Sequence, residues 1–348
     1  MVGVSDRRRT IVWVSPERVW LVREVAEAIG LEVVAAGGPG KGRSAAAASA
    51  LGADPIDDLT QALAEGEADL IWLVCAGSFG AGAEGRDASA CQAARRRGVR
   101  IATLEPIPPG LMELDSGRWL ALGEGGRAVD APRFCPLARL ARPLRESPEL
   151  IQTFGAVDCL AVEVLCAPRE GTAGARLYSA AELVCAVMGE PEVVDAAYVS
   201  PGRSESLHVL PGQSLADLHG TITANLRFAD GRCAGLIASD RGGQWHRQAT
   251  LLGPGGRLRI TDGGFRWVGP EGNLIDQSEA RRGEPDVAGS LAVRVIADAI
   301  NCLMDPRGPE VGPVDHVGIL SICQAALLSA RTGQGESPAT IRRMTGGR

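Results

Sequence analysis

Thr10-Ile11-Val12-Trp13-Val14-Ser15-Pro16-Glu17-Arg18 is the stretch that decides the fold. Its first five residues form a β-branched and aromatic run of strand length. Ser15, Pro16 and Glu17 then offer an N-cap, a proline at the first helical position and an acidic first turn. A helix follows to about Ile29 and Gly30 ends it. Outward from there the alternation continues. Leu31–Ala36 reads as a strand, Ser44–Leu51 as a helix, Ile56–Ala64 as a helix and Asp69–Cys75 as a strand. Ala83–Arg97 then reads as a helix and Val99–Leu104 as a strand. Strands that alternate with helices imply a parallel sheet covered on both faces, because each parallel crossover carries a helix. The expected fold class is therefore α/β, with a Rossmann-like doubly wound parallel sheet over residues 1–125.

The texture changes beyond a Pro-, Gly- and Arg-rich crossing at Pro106–Pro148, in which Cys135–Leu144 has helical potential. Val157–Cys166 reads as a strand and Tyr178–Met188 as a helix. Thr221–Phe228 alternates with period two before the turn Ala229-Asp230-Gly231, and Arg232–Ser239 reads as the returning arm of a hairpin. Gln248–Leu252 and Arg257–Ile260 follow as strands, then Ala288–Leu303 and His316–Ala330 as helices. Residues 126–348 are thus expected to form an α+β domain on a large, mostly antiparallel sheet. The strand at Val157–Cys166 is apolar on both faces, so one face needs cover beyond the domain's own helices, and a homo-oligomer is expected.

Composition narrows the function classes. The chain has 348 residues, 45% of them hydrophobic and 22% charged, enough to bury a core in each of two domains. A net charge of -6 argues against nucleic acid as a partner. The apolar run after the basic start is only strand-length, which argues against a signal segment or a membrane span, so a cytoplasmic protein is expected. The nine cysteines are scattered without a C-x-x-C pair and read as reduced thiols, with no metal site. Lys41 is the only lysine, so any lysine-dependent chemistry has one candidate.

Several phrases in this order resemble the glucose-fructose oxidoreductase / inositol dehydrogenase / MocA family. They include Asp57-Asp58-Leu59 before a helix and Ala94-Arg95-Arg96-Arg97-Gly98-Val99 leading to Leu104-Glu105-Pro106. Val187-Met188-Gly189-Glu190-Pro191, Phe228-Ala229-Asp230-Gly231 and Leu252-Gly253-Pro254-Gly255-Gly256 continue the series. The resemblance covers nearly the whole chain and implies a Rossmann domain followed by an open-sheet domain. It also implies a nicotinamide cofactor and a sugar-like ligand.

That family's working residues are replaced here. The glycine-rich turn that cradles a pyrophosphate is Ser15-Pro16-Glu17-Arg18, where Pro16 removes a backbone donor and Glu17 adds a negative charge. The second strand ends in glycines instead of an acidic residue, and Lys41 with Arg43 would suit a 2′-phosphate or, more simply, a solvated turn. The family lysine of a Glu-Lys-Pro motif is replaced by Glu105 or by Pro106, depending on the register. Ten residues before Gly189, where the family carries a histidine base, stands Ser179, with Glu182 at the position of its acidic partner.

These losses lead to the expectation of no cofactor or a weakly held one, with NADP favoured over NAD. The protein then reads as a pseudo-enzyme that binds a ligand or partner. The alternative is an NAD(P)-dependent oxidoreductase on a sugar or polyol hydroxyl, whose rebuilt site would draw on Arg176, Tyr178, Ser179, Glu182 and His246. In that alternative a neighbouring arginine would lower the Tyr178 pKa. His208, His219 and His316 are assigned structural roles.

Overall fold

A computed structural model of the chain describes residues 8–40, 42–81, 85–115, 119, 121–122, 128–129, 133–134, 148–199, 215–279, 290–305 and 315–345. It divides into two compact units, one of Met1–Leu137 with Val287–Pro313 and the other of Ala138–Asp286 with Val314–Arg348. This differs from a single cut near residue 125, because one late helix returns to the first unit.

In the first unit, β1 (Arg8–Trp13), β2 (Leu31–Gly37), β3 (Asp54–Ile56), β4 (Leu70–Leu73), β5 (Arg100–Thr103) and β6 (Arg133–Phe134) form one parallel sheet in the order β3-β2-β1-β4-β5-β6. The crossovers carry α1 (Val19–Ile29), α2 (Arg43–Leu51), α3 (Leu59–Glu65) and α4 (Arg86–Arg96). Val12, Leu21, Val22, Leu63, Ile71 and Trp72 have no exposed surface, so the central strands bury both faces as a doubly wound sheet requires. Gly30 closes α1 in the left-handed conformation at φ 67°, where a Cβ is strained. Asp58 caps α3 by accepting from the amides of Thr60 and Gln61 at 2.8 and 3.1 Å.

Two local expectations change. Ser15 makes no side-chain cap; Pro16–Arg18 form a single 3₁₀ turn, and α1 begins only at Val19. Asp54–Ile56 is a strand, so the helix read from Ile56 starts at Leu59. Most of the Pro106–Pro148 crossing, including the helical potential at Cys135–Leu144, lies outside the described residues.

In the second unit, α5 (Pro148–Phe154) precedes β7 (Cys159–Leu165), α6 (Ala173–Met188), β8 (Val193–Val199), β9 (Thr221–Arg227) and β10 (Cys233–Ser239). Then come β11 (His246–Gly253), β12 (Gly256–Thr261), β13 (Gly264–Val268) and β14 (Leu274–Glu279). The eight strands run β8-β9-β10-β7-β11-β12-β13-β14, antiparallel except where β7 and β10 pair in parallel. The β9–β10 hairpin has the register expected from its turn, with Thr221 opposite Ser239 and Arg227 opposite Cys233. Burial alternates along β7: Leu160, Val162 and Val164 are buried, while Ala161 is exposed.

The chain then returns to the first unit as α7 (Leu291–Met304), which packs on α1 and accepts a hydrogen bond from Arg8 at Asn301. It ends in the second unit with α8 (His316–Thr332) and α9 (Pro338–Thr345). With α6, α8 covers one face of the sheet, and Ser329 accepts from the Ala196 amide at 2.9 Å.

Candidate functional site

At the ends of β1, β4 and β5 the residues of the expected cofactor turn are committed to one another. Arg18 is buried and its Nη1 donates to the Val74 carbonyl at 2.9 Å and to Glu105 Oε1 at 2.7 Å. The other carboxylate oxygen of Glu105 accepts from the Ala76 amide at 2.9 Å. A bonded carboxylate and guanidinium thus tie three loop ends together; Pro106, next to Glu105, is buried. Beside it, burial pushes the Cys75 thiol up to about 11, helped by the Glu105 charge and partly opposed by that of Arg18.

Pro16 and Glu17 are exposed on the turn, whereas Ser15 is buried. Burial pushes the Glu17 carboxyl up, but hydrogen bonding at Ser15 and its own amide, with the charges of Arg18 and Arg43, carries it below the usual carboxylate value. Glu17 is therefore an anion at neutral pH where an anionic diphosphate would lie. The glycines at the end of β2 serve packing: a Cβ at Gly37, its last residue, would meet the Ile56 oxygen at 2.3 Å and the Trp13 ring at 2.4 Å, and one at Gly38, just beyond it, the Val14 oxygen at 2.3 Å. Arg43 opens α2; Lys41 lies outside the described residues.

The second cluster is built on the start of α6. Thr172 caps this helix by accepting from the Ala175 amide at 3.1 Å. Gly174 is obligatory, since a Cβ there would lie 1.8 Å from the Leu215 carbonyl oxygen of a packed 3₁₀ turn. Arg176, Tyr178, Ser179 and Glu182 are all buried. The Arg176 guanidinium stacks 4.2 Å from the Trp245 ring centroid, and Trp245 Nε1 donates to Asp262 at 2.9 Å. Asp262 in turn receives Arg247 through Nε at 3.0 Å and Nη2 at 2.6 Å, a buried bidentate pair.

Ser179 Oγ is buried with no hydrogen-bond partner among the described residues. Tyr178 bonds through its hydroxyl to His316 Nδ1 at the start of α8. Burial, with the Glu182 charge next in size, drives the Tyr178 pKa well above its ordinary value, so the expected lowering by arginine is corrected. His246 does not join this cluster: it lies on the opposite sheet face from Arg247, with Nε2 3.4 Å from Glu163.

Sequence reasoning missed Trp245, Asp240 and Asp262, and it treated His219 as structural. His219 Nδ1 is 2.6 Å from Asp240 Oδ2, while Oδ1 of the buried Asp240 accepts from the Gly220 amide at 2.9 Å. This pair sits one residue beyond Leu218, whose carbonyl accepts from Gly174 in the first turn of α6. Among the described residues, no group of three or more side chains is arranged to hold a metal ion. No described helix is long and apolar enough to cross a membrane.

No family model and no curated protein matches the sequence. Solved structures do match its fold. The WlbA dehydrogenase from Bordetella pertussis, in complex with NADH and UDP-GlcNAcA, is 18% identical with a TM-score of 0.56, over 95% of this chain and 98% of its own. A myo-inositol 2-dehydrogenase from Lactobacillus plantarum is 16% identical at TM-score 0.62, over 95% and 99%. A levoglucosan dehydrogenase bound to NADH and L-sorbose is 12% identical at TM-score 0.63, over 95% and 98%. These neighbours are dehydrogenases of the glucose-fructose oxidoreductase / inositol dehydrogenase / MocA type, and this chain has their two-part fold.

The neighbours also correct the cofactor expectation of none or weak, with NADP ahead of NAD: two of them hold NADH. The physical reason is that a dinucleotide is gripped along its whole length, so the loss of one glycine turn does not decide whether it binds. The turn itself does not fit a diphosphate in the glycine-cradle pose, because Pro16 withholds an amide and Glu17 opposes the charge.

Proposed function

We propose that this chain is a pseudo-enzyme on the sugar-dehydrogenase fold. In this reading it binds a sugar-like ligand and NAD(H), the latter displaced from the usual cradle, and does not transfer hydride at dehydrogenase rates. The observation that carries the reading is Ser179, buried on α6 at the place of the family base and lacking a hydrogen-bond partner among the described residues. A serine hydroxyl without an adjacent base does not accept a proton near neutral pH. Tyr178, neutral well past pH 10, does not replace it. NAD(H) enters this reading from the NADH-bound neighbours. The ligand class also comes from them.

Calorimetric titration with NADH, NAD and their phosphorylated counterparts, followed by a sugar and polyol panel read at the reduced-cofactor absorbance, tests the proposal. NADH binding without substrate-dependent turnover supports it; turnover near the ordinary enzyme range of about 10 per second overturns it.

One observation favours the oxidoreductase alternative. His219 is held at Nδ1 by the buried Asp240 carboxylate, the arrangement that orients an imidazole as a proton acceptor. If turnover is found, loss of it in His219→Gln with retention of cofactor binding assigns the base. A second copy over Ile237 and Val199, apolar residues exposed on the open sheet face, accounts for the expected homo-oligomer. Light scattering at micromolar protein reads it directly, and a monomer removes it.

A further inference from the structure

The parallel sheet of the first unit runs β3-β2-β1-β4-β5-β6, so the chain builds first to one side of β1 and then, from β4 on, to the other. The order therefore reverses between β1 and β4. In an open α/β sheet the crevice at such a reversal, outside the carboxyl ends of the strands, is where ligands bind. A dinucleotide lying there crosses the end of β1, with one half on the β2 side and the other on the β4 side. Strands β2 and β4 are not neighbours. With β1 between them they stand about 10 Å apart, twice the spacing of paired strands.

The loops that follow β2 and β4 nevertheless touch. Gly37 ends β2, and its carbonyl accepts from the Val14 amide at 2.8 Å, one residue past β1. Gly38 lies down on the same residue, since a Cβ there would stand 2.3 Å from the Val14 carbonyl oxygen. Pro39 then reaches the loop after β4: a Cβ at Gly77 would meet Pro39 Cβ at 2.6 Å and Cγ at 3.3 Å. Gly77 is left-handed at φ 58°, and both it and Pro39 are half-buried. Residues 38–40 thus cross the carboxyl end of β1 as a strap and dock on Gly77. Among the described residues no hydrogen bond joins Gly38 or Pro39 to the loop after β4, so the docking is a van der Waals contact. It is far weaker than the buried Arg18–Glu105 pair that ties the ends of β1, β4 and β5.

We propose that this strap is an autoinhibitory contact: docked, it lies across the path of a dinucleotide over β1, and NAD(H) enters when Pro39 leaves Gly77. The proposal rests on the reading that the chain binds NAD(H). When only a fraction of the protein is competent to bind, the apparent Kd is raised by the inverse of that fraction, so freeing the strap tightens binding without any new contact.

Two variants free the strap by opposite means. Pro39→Gly removes the ring that docks, whereas Gly77→Asn adds the Cβ that wedges the ring away, with a side chain that tolerates the left-handed backbone. In calorimetric titration of the full chain with NADH, each variant is expected to bind at least about threefold tighter than the wild type. Hydrogen exchange without nucleotide gives a second readout: the Gly38 and Gly40 amides exchange faster in both variants, while the amides of β1 keep their wild-type protection. NADH binding by the variants, with none by the wild type up to about 10 mM, supports the proposal in its strongest form. Equal or weaker NADH binding by either variant overturns the strap and leaves the NAD(H) reading standing. Unchanged exchange at Gly38 and Gly40 overturns the docking itself. If none of the three proteins binds NADH, the NAD(H) reading fails and the strap falls with it.

Discussion

Replacing Glu105 by glutamine removes one charge and almost no volume, and the structure sets the cost. Arg18 and Glu105 are 4% and 2% exposed, so neither can turn to water when its partner is neutralised. The carboxylate accepts from two donors, Arg18 Nη1 and the Ala76 amide. A glutamine has one acceptor oxygen for them, and its NH₂ group must face whichever donor is left. The variant therefore leaves the buried guanidinium without its bonded carboxylate and one donor short of an acceptor. Breaking a buried pair of this kind costs about 3–5 kcal/mol. With a urea slope of about 2 kcal/mol/M for a domain of ordinary size, the transition of the first unit should move down by roughly 2 M. Urea unfolding followed by tryptophan fluorescence reads this directly, since Trp13 and Trp72 lie on that unit's sheet. The paired variant Arg18→Met/Glu105→Leu should recover most of the loss, because an apolar pair of similar volume avoids the desolvation cost. A shift under about 0.5 M for Glu105→Gln, or a double variant no better than the single, would refute the claim that this ion pair fastens the turn.

Other outcomes follow from the same geometry. Gly174→Ala drives a Cβ into the Leu215 carbonyl, so the second unit should lose about 1–3 kcal/mol in denaturant titration, while Gly189→Ala, with nothing within 4 Å but φ at 84°, should lose less. With its folded value at about 11 against 9.0 for an ordinary thiol, Cys75 stays protonated in the fold after the unfolded chain has ionised. Stability present below pH 9 is thus lost as pH rises toward 11, and alkylation of Cys75 should lag that of the exposed Cys233 until that range, as read by peptide mass spectrometry. Asp240→Asn leaves one acceptor oxygen for the His219 ring and the Gly220 amide; with the oxygen on Gly220 its NH₂ faces Nδ1, which should change the ring's tautomer balance by ¹⁵N NMR and leave the sheet's melting within about 1–3 kcal/mol of the wild type.

The parallel sheet was legible because its signals are local: the run at Thr10–Val14 and the stop at Gly30 each act within a few residues, whereas Asp58, the cap of α3, was read as lying inside a helix from Ile56. What fills the turn after β1 was not, because Glu105 reaches Arg18 from 87 residues away and no periodicity links them. The emptied glycine cradle could be read from Pro16 and Glu17, yet the ion pair beneath it belongs to tertiary packing. Strands β13 and β14 escaped notice because glycines and charges dominate Gly264–Glu279, and their pairing rests on register with β12. At the α6 cluster the sequence put Arg176, Tyr178, Ser179 and Glu182 near one helix start but began that helix at Tyr178, whereas it runs from Ala173 with all four residues inside it. It misjudged the sign of the Tyr178 shift because burial outweighs any nearby cation. Leu291–Met304 was assigned by chain order to the second unit, whereas its apolar stripe packs on α1.

The central claim, binding without hydride transfer, is tested most directly by following the hydride itself. The full chain is incubated with NAD and polyols carrying deuterium at the oxidisable carbons, and the recovered nucleotide is analysed by mass spectrometry for deuterium. With Ser179 in place of a base, the account predicts no label above the protein-free control, a rate at least about a thousandfold below ordinary dehydrogenase turnover. Deuterium appearing in the reduced nucleotide within seconds to minutes would contradict it.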